Sequence, residues 1–328
     1  MTAKKMNSLQ AVNSALAQAM AEDDKVLVLG EDVADREGGG VTGATAGLST
    51  RFGDDRVKST PISEQAIIGA AIGAALAGYK PVAEIMLMNF TTVAMDMIFN
   101  HAAKLRFMSG GQSTVPITIR TLTGAGWQTA GQHADHLEGW FAHTAGIKVV
   151  APSTPADYKG LLLSCIQDPD PCIFIESAGS LFIPGEVDEV ATPIPLGKAR
   201  IVQEGSDITI VSWSSQLLRC QAALPALAEA GISAELVDLR TVSPWDREAV
   251  LASVAKTGRA LVVHEAVRDF GPGGEIASTI AEELFGQLKA PVRRLGAPKS
   301  PVPFAKVLED AYIASPERVA EAVKALMA

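Results

Sequence analysis

The sequence predicts an α/β protein of two domains, each a mainly parallel sheet between helices, and three observations predict it. Short β-branched runs alternate with helical patterns along the whole chain. Several of those runs are apolar on consecutive residues, the pattern of strands buried on both faces. With 328 residues the chain is about two domains long, at roughly 150 residues each.

In chain order, a helical period over 8–23 leads into an apolar strand over 26–29. A Gly/Ala-rich helix over 64–77 precedes a strand over 82–86, and 92–106 reads as one further helix. Strands over 115–120, 148–151 and 172–176 follow, with a helix over 156–167 between the last two. Between Ser177 and Gly205 the pattern breaks. Pro184, Gly185, Pro193, Pro195 and Gly197 punctuate this stretch, and residues 186–189 are acidic. Residues 186–200 are therefore the expected linker between a domain of residues 1–185 and one of 201–328. In the second domain strands over 208–213, 234–239, 260–264 and 292–295 alternate with helices over 217–230, 247–256, 275–285 and 317–327. No internal repeat is visible.

Composition narrows the function. Lys and Arg number 28 against 37 Asp and Glu, a net charge of −9, which argues against a nucleic-acid binder. An apolar share of 48% with 20% charged residues excludes disorder. Cys165, Cys172 and Cys220 form no Cys-x-x-Cys pair, so a disulfide scaffold, a cysteine zinc site and an iron–sulfur cluster are all unsupported. Lys4 and Lys5 are followed by no apolar run, and the weakly polar stretch 66–78 falls short of the roughly 20 residues that cross a bilayer. The expectation is a soluble protein of a reducing cytoplasm.

Four places carry candidate chemistry. Gly38–Gly40 with Gly43 and Gly47 lacks the spacing of a phosphate loop and reads as a surface loop. Gly271-Pro-Gly-Gly-Glu275 either starts a helix or offers amides to an anion. His133, His136 and His143 lie in a glycine-rich segment from Gly124 to Gly146. They suit a metal trio only without the usual His-Glu-x-x-His support, and a proton-moving histidine on a ligand-approaching loop or a satisfied core histidine are the other readings. Ser63 and Glu64 open the apolar helix, in which Gly69 and Gly73 share a face. Glu64 is either a dipole-complementing cap or a carboxylate at the edge of a buried interface with raised proton affinity. No Gly-x-Ser-x-Gly elbow is present.

Several strings together resemble one family. They are Leu29-Gly-Glu-Asp-Val33, Thr60-Pro-Ile-Ser-Glu64 and Ala83-Glu-Ile-Met-Leu-Met-Asn-Phe90. With them go His101-Ala-Ala-Lys104, Met108-Ser-Gly-Gly111, Gln132-His133 and Val149-Val-Ala-Pro-Ser-Thr-Pro155. Val237-Asp-Leu-Arg-Thr241, Pro301-Val-Pro-Phe304 and Leu308-Glu-Asp310 extend the likeness over nearly the whole chain. The chain resembles the β subunit of the thiamine-diphosphate-dependent first component of 2-oxo acid dehydrogenase complexes, the pyruvate, branched-chain and acetoin dehydrogenases. The resemblance implies a transketolase-like pyrimidine-binding domain followed by a transketolase C-terminal domain. It also implies an α2β2 heterotetramer, with thiamine diphosphate lying between an α and a β subunit. The α subunit carries the Gly-Asp-Gly motif for magnesium and diphosphate, which this chain lacks, so the chain resembles half an active site.

Carried over position by position, Glu64 matches the glutamate that bonds the aminopyrimidine ring nitrogen, where protonation lets the cofactor deprotonate its own reactive carbon. Phe90 matches the aromatic that packs on the pyrimidine, and Asp96 an acidic residue on the route between the two sites of the assembly. His133 matches the loop histidine expected to assist 2-oxo acid binding and acyl transfer to a lipoyl arm. Positions matching Ile117, Cys165, Asp168 and Asp170 hold a potassium ion in some relatives, largely through carbonyls. Glu176-Ser-Ala-Gly-Ser180 and Ala134-Asp135 depart from the family's usual residues, which leaves the particular 2-oxo acid, or acetoin, open. The expected partners are an α subunit and the lipoyl acyltransferase core, with neither nucleic acid nor membrane. Two rivals stand beside this reading. One is the pyrimidine-binding half of a split transketolase or deoxyxylulose-phosphate synthase, which would need an Arg or His phosphate cluster. The other is a non-catalytic scaffold, which the presence of Glu64 and His133 disfavours.

Overall fold

The computed structural model describes residues 3–328. In chain order the first part carries β1 (Ala3–Asn7), α1 (Ser8–Glu22), β2 (Val26–Gly30), α2 (Leu48–Phe52), β3 (Val57–Ser59), α3 (Glu64–Leu76) and β4 (Lys80–Leu87). It continues through α4 (Leu105–Met108), β5 (Thr118–Thr123), α5 (Glu138–Ala142), β6 (Lys148–Val150), α6 (Pro155–Gln167), β7 (Cys172–Ser177) and β8 (Pro184–Asp188). The second part runs β9 (Arg200–Gln203), β10 (Ile208–Ser212), α7 (Ser214–Glu229), β11 (Ala234–Asp238), β12 (Thr241–Ser243), α8 (Arg247–Thr257) and β13 (Ala260–Val267). It ends with α9 (Gly273–Glu283), β14 (Arg293–Ala297), α10 (Lys306–Tyr312) and α11 (Pro316–Met327).

A seven-stranded sheet, ordered β12-β6-β7-β5-β4-β2-β3, is parallel except for β12 at its edge. A five-stranded sheet, β14-β13-β10-β11-β9, is parallel except for β9. Every residue of β7, β10 and β11 is buried, the polar ones included, as befits strands covered on both faces. Asn7 starts α1 with a reciprocal capping box, its side chain taking the amide of Gln10 while the Gln10 side chain takes its own. Ile173 and Ile175 of β7 share one apolar cluster with Val211, Trp213, Val237 and Val262 of the second part, so the core is continuous between the two sheets.

The structure departs from the sequence reading at three places. The single helix expected over 92–106 is a 3₁₀ turn over Met88–Ala94, a π turn over Met97–Ala102 and the short α4. Thr91 Oγ1 and Thr92 Oγ1 donate to the carbonyls three residues back, Met88 and Asn89, which competes with regular α-helical bonding there. The expected linker 186–200 opens inside β8, which pairs antiparallel with β1; long-range pairing of this kind leaves no local period to read. β12, from the second part of the sequence, closes the edge of the first sheet beside β6. Among the described residues no helix is long and apolar enough to cross a membrane.

Candidate active site

Glu64 is the first residue of α3, half-buried, and Ser63 stands at its cap without a side-chain capping bond. The amide of Ile67 instead meets the Ser63 carbonyl, and Thr60 ties the approach to the sheet by donating to the Gly30 carbonyl at 2.9 Å. Ile67, Ile68, Ala71, Ile72 and Ala75 face the core, while Gln65, Ala66, Ala70 and Gly73 are exposed. The apolar helix thus has one face seated and one open.

The charge of Glu64 reaches a second carboxylate to which the sequence assigns no role. Glu31 follows β2 directly and is buried, and its carboxyl is raised above the usual range, first by burial and then by the charges of Glu64, Asp32 and Glu84. Glu84 on β4 and Glu176 on β7 grip Arg120 of β5 from either side, at 2.7 Å to Nη1 and 2.6 Å to Nη2. The signal for this row was one charged residue in the interior of three neighbouring buried strands, Glu84, Arg120 and Glu176.

Phe90 and His133 are brought together, their ring centroids 5.4 Å apart and their planes at 72°. The 3₁₀ turn bearing Phe90 packs against α3. Asn89 fixes the histidine loop beside it: its Nδ2 donates to Asp135 Oδ2 at 2.8 Å and its Oδ1 accepts from the Asp135 amide at 3.1 Å. Asp135, one of the departures noted above, therefore has a structural task. Asp96 is exposed and has Asn100 and His101 as its partners rather than the Phe90–His133 pair.

The three histidines do not converge on a metal. Residues 131–137 are not helical, and no group of His, Cys, Asp or Glu among the described residues could hold a metal ion. His136 is buried between Glu138 Oε2 at 3.3 Å and Glu265 Oε2 at 3.4 Å. Burial opposes its charge, but Glu265 and Glu138 override that and raise it to about 10. His143 ends α5, exposed, beside a groove of about 740 Å³ that Trp140, Trp245, Phe270 and Glu275 also line.

Both glycine motifs resolve as structure. In the Gly38–Gly47 loop Asp35 accepts from the Thr50 amide at 2.8 Å and also takes that of Gly47, so a carboxylate already supplies the anion. Gly271 and Gly273 make room for His264, whose ring would lie 2.8 and 2.6 Å from a Cβ there. His264 stacks on Trp213 at 5.4 Å, and burial pushes it down to about 4.

At the candidate potassium positions the carboxylates are engaged. Asp168 Oδ1 and Asp170 Oδ2 hold Lys148 Nζ at 2.6 and 3.2 Å, and Asp170 Oδ1 holds Arg106 at 2.6 Å. The Ile117 and Cys165 carbonyls each accept one amide, from Cys172 and Asp168.

Comparison with known proteins follows the same outline. The transketolase pyrimidine-binding domain matches residues 4–182, and the transketolase C-terminal domain residues 197–319. The chain is 45% identical to the acetoin:2,6-dichlorophenolindophenol oxidoreductase β subunit of Cupriavidus necator, over 99% of this chain and 98% of that one. It is 44% identical to the mitochondrial 2-oxoisovalerate dehydrogenase β subunit of Dictyostelium discoideum, over 99% and 87%. To the pyruvate dehydrogenase E1 β subunit of Bacillus subtilis it is 42% identical, over 98% of both chains. A split-gene transketolase, solved as an inactive β4 tetramer, shares the fold with a TM-score of 0.80 at 21% identity, over 98% of both chains. The chain belongs to the transketolase-like family of E1 β subunits of pyruvate, acetoin and 2-oxoisovalerate dehydrogenases.

Proposed function

We propose that this member of the E1 β family is the β subunit of a thiamine-diphosphate-dependent 2-oxo acid or acetoin dehydrogenase, working in the cytoplasm as an α2β2 heterotetramer. It cleaves its substrate and reductively acylates the lipoyl group of an acyltransferase core. The observation that carries this is the edge contact between Phe90 and His133, with Phe90 on a turn that packs against the helix Glu64 begins.

These residues suit the pyrimidine end of the cofactor: a half-buried carboxylate, an aromatic face and a proton-carrying ring. When bound, thiamine diphosphate would supply the carbon nucleophile of the reaction. Glu64 holds the proton at the pyrimidine ring nitrogen, and its charge adds to the burial that raises the Glu31 carboxyl. Phe90 packs on the pyrimidine face, and His133 holds or moves a proton at the substrate oxygen and during transfer to the lipoyl thiol. Asp96, exposed in this chain, is assigned to the route between paired sites. The α subunit supplies the magnesium and diphosphate contacts and covers the open face of α3.

A potassium ion near Ile117, Cys165, Asp168 and Asp170 would rest on main-chain oxygens, because Lys148 and Arg106 already neutralise the carboxylates. A rise in melting temperature in potassium over sodium chloride tests it.

Sugar-phosphate chemistry is disfavoured by the same geometry. Arg106 is paired with Asp170, and Arg120 is buried between Glu84 and Glu176, so neither is offered to a phosphate. Co-expression with an α subunit, followed by thiamine-diphosphate titration of the chain alone and of the mixture, decides the matter. Binding and 2-oxo acid or acetoin cleavage in the mixture alone support the shared site. Active binding by the chain alone overturns it.

A further inference from the structure

The segment from Gly124 to Ala130, which leads into His133, has an expensive backbone. Gly124, Gly126, Gln128 and Ala130 all have positive φ, at 106°, 126°, 56° and 62°. For Gln128 and Ala130 that conformation persists only where surrounding structure holds it.

What holds it comes from the far end of the chain. Glu309 on α10 is fully buried, and its Oε1 accepts from the amides of Gly126 at 2.7 Å and Gln128 at 3.0 Å. Glu265 on β13 takes the preceding amide, that of Ala125, on Oε1 at 2.7 Å, and its Oε2 accepts from Ser215 at 2.7 Å and faces His136. Pro301 stands 3.0 Å from where a Gly131 Cβ would be. Ala125 and Ala134 pack with Ala297, Val302, Tyr312 and Ile313. Two buried carboxylates thus take three loop amides, and burying those carboxylates is costly unless such bonds repay it.

We propose that Glu309 and Glu265 are positioning residues for His133, so that the C-terminal part of the chain sets the histidine's pose for acyl transfer. The proposal rests on the function assigned above, and it gives the second sheet a share in the chemistry. Neither carboxylate touches the reacting atoms. Both act through the left-handed turn, whose amides they fix.

The test compares Glu309→Ala, which removes the acceptor, with Glu309→Gln, which keeps one oxygen for the two amides. Hydrogen exchange on the full chain reads the loop directly. The Ala variant should exchange residues 124–131 about tenfold faster or more, the scale of one lost charge-assisted bond, while β5 and β7 stay protected. The Gln variant should fall between. In the α2β2 assembly, single-turnover acyl transfer to a lipoyl domain should drop about tenfold with thiamine-diphosphate affinity held, and Gln should rescue part of it. Unchanged exchange at 124–131, or cofactor affinity falling together with transfer, overturns the proposal. If the Ala variant does not fold, faster exchange confined to 124–131 in the Gln variant supports it, and unchanged exchange sinks it. A wild-type assembly that never cleaves a 2-oxo acid or acetoin would instead refute the assigned function, and the exchange result would still judge the loop.

Discussion

Phe90 and His133 lie 43 positions apart in the sequence and meet edge to face, ring centroids 5.4 Å apart. One sits on a 3₁₀ turn after β4, the other on the loop after β5, and Asn89 bonds the two segments through Asp135. A substitution at either ring is therefore felt by both.

Phe90→Ala should weaken thiamine-diphosphate binding by the assembly and also slow acyl transfer, because the aromatic pair, worth about 1 kcal/mol beyond its buried area, also restrains His133. Titration and single-turnover transfer in the same preparation check this. A variant that loses cofactor affinity of roughly fivefold or more but transfers at the wild-type rate when saturated would separate the two roles.

Glu64→Gln should abolish most substrate cleavage, by about 10²- to 10⁴-fold, while the chain folds and assembles normally. The carboxylate is only half-buried at a helix start, so little packing is lost. Cleavage kinetics beside a melting curve test it, and retained cleavage would end the role in cofactor activation.

Much of the fold was legible because buried parallel strands write themselves as apolar runs. The candidate site was proposed only in pieces: Glu64 from an acidic residue opening an apolar helix, His133 from its glycines. What held those pieces together was not. Glu265 and Glu309 look like ordinary charges on a strand and a helix until the fold brings them to loop amides some 140 and 180 residues away. His136 looked like a possible ligand, and only its two carboxylate neighbours show why it is buried. The segment 88–108 misled for a local reason, hydroxyls bonding back to the backbone.

Arg120→Met should destabilise the chain strongly, by about 3–5 kcal/mol, since it strands Glu84 and Glu176 together in the core. Burial already raises the Glu176 carboxyl against the pull of Arg120. Without the guanidinium it rises further, so the folded variant binds more protons than the unfolded one and the deficit widens as pH climbs from 5 to 8. Denaturant titrations across that range measure it. Arg106→Ala, which removes an exposed partner of Asp170, should barely move the midpoint.

His136 supplies the alkaline counterpart. Burial alone would lower it, yet Glu265 and Glu138 raise it to about 10, while its other titratable neighbour, His264, is pushed down to about 4 and stays neutral. An imidazole whose folded value lies above its unfolded one, about 6.5, stabilises the folded chain fully below that unfolded value. The contribution then declines as pH rises and is gone above about 10. The stability gap between wild type and His136→Gln should therefore be widest near pH 6 and close progressively toward pH 10. A gap that does not change over that range would mean His136 is neutral in the fold.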